Sequence, residues 1–136
     1  MNQEYILNLW ERAVTTLDAA KKTISFHKDT SANRSYYAAF FAVSALFADE
    51  DKYFKKHTGL RSAVHKELVN TGRWTPDMGD DYDELMKLRD VADYGATKHV
   101  LMEEAEEALI RAERIVMAVH EAKPDIFKLP LGNNDA

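Results

Sequence analysis

The stretch Asn33–Glu50 reads NRSYYAAFFAVSALFADE. Tyr36, Phe40, Val43 and Phe47 recur at three- and four-residue steps and form one stripe, while Tyr37, Phe41 and Ser44 form a second beside it. A helix apolar on more than one face belongs at the centre of a bundle, because burying one stripe alone leaves the other in water. Ala38, Ala39, Ala42 and Ala45 would let neighbouring helices approach closely. The aromatic residues are therefore read as core packing rather than as a ligand-stacking box.

The flanking sequence supplies the neighbours. Upstream, Ile6, Leu9, Ala13, Leu17, Ala20 and Ile24 predict an amphipathic helix from about Gln3 to His27, with Asn2 as its cap. Thr30 or Ser31 is then expected to cap the central helix. Downstream, Leu60, Val64 and Leu68 predict a shorter helix ending near Gly72, which suits a left-handed position after a helix. Thr75 before Pro76 is a helix start, although Gly79 places the regular helix only from about Asp81, with Leu85, Leu88 and Ala92 on its buried side. The last helix, MEEAEEALIRAERIVMAVHEAK, puts acids at its positive end and lines Ala105, Ala108, Ala112, Ile115, Val116 and Val119 along a core face. Pro124 ends it. The fold class is all-α: an antiparallel, up-down four-helix bundle with a short fifth helix. Residues 1–123 are expected to form a single helical-bundle domain and 124–136 an extended or disordered C-terminal tail, which Ile126, Phe127, Leu129 and Leu131 could dock onto the bundle.

Composition narrows the function classes. Among 136 residues there are 5 glycines and 3 prolines, too little punctuation for many short strands. Cysteine is absent, which removes disulfides and thiolate metal sites. No apolar run approaches the ~20 residues that span a bilayer, and the acidic N-terminal stretch does not read as a secretory signal. A soluble cytoplasmic protein without a membrane segment is expected. The net charge of −5 is unevenly spread. Lys52, Lys55, Lys56, Arg61, Lys66 and Arg73 face only Glu67, whereas Asp77–Glu107 holds eleven acids against Lys87, Arg89 and Lys98. The basic strip is either a solvated face or a surface for phosphates or an acidic partner.

Several chemistries fail on spacing. A di-iron bundle needs Glu-x-x-His steps, yet Ile24, Phe54, Ser62, Ala96 and Met117 precede the histidines by three. No phosphate-cradling glycine loop or H-E-x-x-H is present. Ser62 and His65 lack a third partner, and no helix carries the spaced basic and amide residues of a DNA reader. No metal, cofactor or sequence-specific DNA is expected.

Three segments remain. The second helix carries Arg34, Tyr36, Tyr37, Ala38 and Phe40; Lys55, His57 and Gly59 lead into the third helix, which closes on Thr71-Gly72; Arg89, Ala92, Asp93 and Tyr94 end the fourth. In this order the chain resembles the HEPN family, the nucleotide-binding domain of higher eukaryotes and prokaryotes, and within it the small stand-alone prokaryotic proteins. The resemblance covers roughly residues 5–120. It implies a bundle that dimerises and is often encoded beside a minimal nucleotidyltransferase in a toxin–antitoxin-like pair. Many members are metal-independent RNases with R-x(4–6)-H, in which histidine takes the 2′-hydroxyl proton and arginine grips the phosphate.

Arg89 and the polar Asp90 are kept here, but Tyr94 stands where the histidine would be, and His99 comes ten residues after Arg89. A tyrosine with a pKa of about 10 is a poor base at neutral pH. The reading that follows is a homodimeric, nucleotide- or RNA-binding protein partnered with a nucleotidyltransferase. Arg89 would bind phosphate and Tyr94 would donate a hydrogen bond or stack on a base. Arg34, Tyr37, Lys56, His57 and Arg61 would assist, with Asp90 and Asp93 orienting the pair. One alternative is an active endoribonuclease in which His57 or His99 reaches Arg89 through the fold. A purely structural bundle, with Arg89–Asp93 and Asp90–Tyr94 pairing at i,i+4, is another.

Overall fold

Once two faces of the central helix must be buried, the remaining helices have little choice of position. The computed structural model describes residues 2–95 and 97–130. Its helices are α1 (Gln3–Thr23), α2 (Lys28–Asp49), α3 (His57–Ala63, running on into a π-helical turn at Val64–Val69), α4 (Pro76–Tyr94) and α5 (Met102–Ala122). The described residues contain no strand. The four long helices pack as an up-down bundle, and α2 touches each of the other three. Ala38, Ala39, Ala42, Val43, Ala45, Leu46 and Phe47 are all buried, so the small side chains do permit close approach from several directions. No helix is long and apolar enough to cross a membrane among the described residues.

The element ends follow local chemistry, with two departures from expectation. Asn2 caps α1, its side chain accepting from the Tyr5 amide at 3.0 Å. The cap of α2 is His27 rather than Thr30 or Ser31: Nδ1 of His27 accepts from the Thr30 amide at 3.1 Å. Ser31 is buried and its hydroxyl donates at 2.8 Å to the Ala20 carbonyl, which pins α2 to α1. It is therefore spent on tertiary structure instead of capping. Helix α4 starts at Pro76, a turn before the expected Asp81, with Thr75 as N-cap. Gly79 sits inside that first part because the π-helical turn brings His65 and Val69 against it; a Cβ there would lie 3.0 Å from each. Gly72 follows α3 at φ +83°, the left-handed conformation expected of it.

Asp81 joins α4 to α5. Its carboxylate is only 2% exposed and accepts from Arg111 Nη1 at 2.8 Å and from Arg114 Nε and Nη2 at 2.9 and 2.8 Å. Buried charges persist when paired in this way, and removing one partner strands the others. Past Pro124 the chain turns back onto the bundle. Phe127 is fully buried against Trp10 at 5.4 Å, Trp10 Nε1 donates to the Lys128 carbonyl at 2.7 Å, and His120 Nδ1 donates to the Phe127 carbonyl at 2.7 Å. Ile126 and Leu129 are half-buried on the same core, whereas Leu131 lies outside the described residues.

Asp81→Ala, which leaves two arginines without their shared carboxylate, is expected to cost about 3 kcal/mol in urea unfolding, near the low end for a broken buried pair. Phe127→Ala should cost a similar ~3 kcal/mol, as a core aromatic does; a change below ~0.5 kcal/mol would mean that the segment after Pro124 contributes no core.

Candidate functional site

Tyr36 and Tyr37 are adjacent in sequence, so on α2 they point about 100° apart, one into the core and one toward its margin. Tyr36 is fully buried and Tyr37 half-buried. Helix α4 lies across this end of α2 and delivers Arg89 onto both. The Arg89 guanidinium carbon is 5.1 Å from the Tyr36 ring centroid, 5.9 Å from that of Tyr37 and 5.8 Å from that of Tyr94, one turn further along α4. Three aromatic faces thus surround one cation, each such contact being worth about 1 kcal/mol.

The hydrogen bonding of Arg89 is thin by comparison. Its side chain is 12% exposed, yet among the described residues its one ion pair is to Asp90 at 3.3 Å, and Asp90 itself faces solvent. Nη1 donates to the Tyr37 hydroxyl at 3.4 Å, and Nε is buried with no partner. Burial opposes the charge of Arg89, but Tyr37, Asp90, Tyr36 and Tyr94 outweigh it and raise its pKa.

His57 completes the cluster from the start of α3. Its ring stacks on Phe40 at 4.5 Å and on Tyr36 at 5.7 Å, meets Tyr37 edge-on at 5.8 Å, and its Nδ1 lies 2.6 Å from the Tyr36 hydroxyl. Burial, then the nearby positive charge of Arg89, lower its pKa below the usual value of 6.5. At neutral pH His57 is therefore an uncharged imidazole.

On the other side Arg34 lies over the Tyr37 ring at 5.4 Å and donates from Nε and Nη2 to Asn33 Oδ1 at 2.9 and 2.6 Å. Asn33 in turn donates to both Asp93 oxygens, at 2.9 and 3.1 Å. Asp93 thus reaches across to α2 instead of pairing with Arg89. This explains an acid near the negative end of α4, where the helix dipole disfavours it: its contact is tertiary. A cavity of about 330 Å³ opens here, lined by His27, Asp29, Asn33, Arg34 and Asp93 among others.

The fold thus gathers Arg34, Tyr37, His57, Arg89, Asp90 and Tyr94 into one contiguous group, with Asp93 joined to it through Asn33. Two other candidates stand apart. Arg61 donates to Asp83 at 2.7 Å, an acceptor it shares with His65, and Lys56 is exposed at the N-cap of α3. Half of the basic strip is paired, Lys52 with Glu67, Arg73 with Glu50 and Arg61 with Asp83, while Lys55, Lys56 and Lys66 are exposed. His99 is held elsewhere, its Nδ1 2.8 Å from Asp29, which also accepts from the Val100 amide at 2.8 Å. Burial pushes the Asp29 carboxyl up, but those hydrogen bonds from His99 and Val100 outweigh it and leave the pKa lowered.

Sequence reasoning left Tyr36, Phe40 and Asn33 out of the site. Tyr36 proves to be its hub, touching Arg89 and His57 at once. The four-residue step from Tyr36 to Phe40 was a visible signal, but it is the same signal that core packing gives.

Comparison with known proteins agrees with this architecture. A family model described as "HEPN domain" matches residues 6–122. A protein of Thermotoga maritima named "UPF0332 protein" is 33% identical over 129 residues, covering 93% of this chain and 98% of its own. One from Methanocaldococcus jannaschii, whose name reads "Putative toxin", is 32% identical over 99 residues, or 72% of this chain and 67% of its own. A second "UPF0332 protein", from Gloeobacter violaceus, is 28% identical over 116 residues, covering 84% of this chain and 92% of its own. With the family match spanning α1 to α5, the chain belongs to the HEPN domain family.

Proposed function

We propose that the protein binds nucleotide or RNA through Arg89, acts as a homodimer, and partners a minimal nucleotidyltransferase in a toxin–antitoxin-like pair. The observation that carries the reading is the state of Arg89. It is a largely buried cation whose charge is met by ring faces and one exposed carboxylate, and whose Nε is left unbonded. Native proteins seldom leave a buried donor unpaired without a use for it. Two phosphate oxygens would engage Nε and Nη2 together, displacing the long Nη2 contact to Asp90, in the bidentate geometry guanidinium favours. Tyr94, 72% exposed beside it, offers a free ring face and hydroxyl for the base or sugar of the same ligand. Arg34 stands ready at the edge of the adjoining cavity as a second phosphate contact. The toxin-like role draws on the family and on the name of the Methanocaldococcus relative.

His57 favours a second reading, the metal-independent endoribonuclease. Here His57 would donate Nδ1–H to the Tyr36 oxygen and use Nε2 to take the 2′-hydroxyl proton while Arg89 holds the phosphate. The 2′-oxygen attacks phosphorus, the P–O5′ bond breaks, and the leaving 5′-oxygen takes a proton back from the imidazolium or from water. Its lowered pKa keeps it unprotonated and ready at neutral pH. His57 comes before Arg89 in the chain, so no linear motif contains it.

Calorimetry with adenosine monophosphate and with single-stranded RNA tests the first reading. Arg89→Ala should weaken binding at least tenfold, and Arg89→Lys should not restore it, since an ammonium cannot make the bidentate contact. Binding unchanged in Arg89→Ala sinks the proposal. The melting temperature separates site from scaffold: a drop of only a few degrees fits a ligand-binding arginine, whereas a collapse of the fold assigns it to architecture. For the nuclease reading, cleavage without metal should rise with pH through a midpoint below 6.5, because the base is lost only when His57 gains its proton. His57→Ala should lower the rate at least ~100-fold; equal cleavage by wild type and His57→Ala would exclude this base.

A further inference from the structure

The α2–α3 connection carries a second aromatic group that the core does not absorb. Tyr53 is 55% exposed and Phe54 37%, and Tyr53 lies against Tyr5 of α1, itself 45% exposed, with ring centroids 6.1 Å apart and planes inclined by 47°. Phe54 is steadied from beneath by buried Phe47, edge to face at 5.4 Å. The rings are thus fixed on the protein side and open on the solvent side.

The connection from Tyr53 onward is basic, with the exposed acids Glu4 and Asp51 at the edge of the group. Residues 52–66 contain no acid. Lys52 is taken up by Glu67, while Lys55 and Lys56 are exposed. Lys56 leads directly into His57 of the Arg89 cluster, and Phe54 is three residues from His57, so their Cα atoms lie within about 11 Å.

We infer that Tyr53, Tyr5 and Phe54, with Lys55 and Lys56, form a stacking platform for single-stranded RNA that holds the nucleotides next to the one at Arg89. The inference rests on the reading of Arg89 as a phosphate-binding residue and extends it from a mononucleotide to a strand. Open aromatic faces accept a base of any identity, and flanking lysines follow the phosphates without reading sequence. A duplex, whose bases are already stacked inside, gains nothing from such rings. The exposed lysines favour RNA over a protein surface as the occupant, and the short link from Phe54 to His57 places the platform next to the Arg89 cluster.

Fluorescence anisotropy with a labelled oligouridylate, beside calorimetry with adenosine monophosphate, tests this on the full chain. Tyr53→Ala should weaken the oligonucleotide about 5- to 100-fold, as loss of one stacking ring does, and leave the mononucleotide unchanged. Tyr53→Phe keeps the ring and should stay within about twofold of wild type. Replacing Lys55 and Lys56 by alanine should reduce the slope of log affinity against log salt by about 1.4. Oligonucleotide binding that is equal in wild type and Tyr53→Ala overturns the platform while leaving Arg89 in place, as does a wild type that binds the mononucleotide but not the strand. If neither ligand binds wild type, the Arg89 reading itself falls and the platform with it. Loss of a co-expressed nucleotidyltransferase from Tyr53→Ala, with RNA binding intact, would assign the rings to a protein partner instead.

Discussion

The packing of α2 on all sides is the constraint on which the rest of the structure depends. A helix buried on several faces cannot carry charges at its centre, and it needs small residues wherever another helix crosses it. Its alanines meet the second requirement, and its middle holds no charged residue from Ser35 to Ala48. Two polar groups that enter the core are tied down, although Ser35 Oγ and Tyr82 OH are buried without a partner among the described residues. Ser31 is bonded to the Ala20 carbonyl, and Asp81 on the neighbouring α4 is held by two arginines of α5. The bundle is thereby fixed in register by a few buried polar contacts laid over a continuous apolar core.

The candidate site arises where this packing runs out. Toward the start of α2 the alanines give way to Tyr36, fully buried, and Tyr37, half-buried at the margin, and the Arg89 side chain lies against both rings. The arrangement is favourable for a cation with weak hydration, since guanidinium faces tolerate aromatic contact far better than an ammonium does. It remains incomplete as hydrogen bonding. The buried unpaired Nε and the exposed Asp90 leave Arg89 positively charged and under-satisfied at the edge of solvent. A buried charge so placed attracts an anion while opposing protonation of the adjacent His57.

Much of this was legible before the fold was seen. The central position of α2, the caps Asn2 and Thr75, the left-handed Gly72 and the core face of α5 are consequences of side-chain size, period and backbone freedom over a few residues. The early start of α4 was not, because Gly79 looks like a helix breaker until the close approach of His65 and Val69 shows why no Cβ fits. Capping by His27 was missed for a related reason: Ser31 has the right chemistry for a cap, but a buried partner on another helix claims it.

The sequence by itself determined the helical class, the order of the helices and the family, since these rest on local periodicity and on motifs that keep their spacing. It also marked Arg89 and Tyr94 as a departure from the arginine–histidine pattern. Which groups meet Arg89 was decided only in three dimensions. Helix α4 crosses α2 so that Arg89 lands on residues more than fifty positions earlier, His57 enters from the start of α3, and Asp93 turns away to Asn33. Arg61 of α3 pairs with Asp83 of α4 and so stays outside the group. Such pairings depend on helix crossings and on competition among several partners for one charge, and neither is written in the spacing along a single helix.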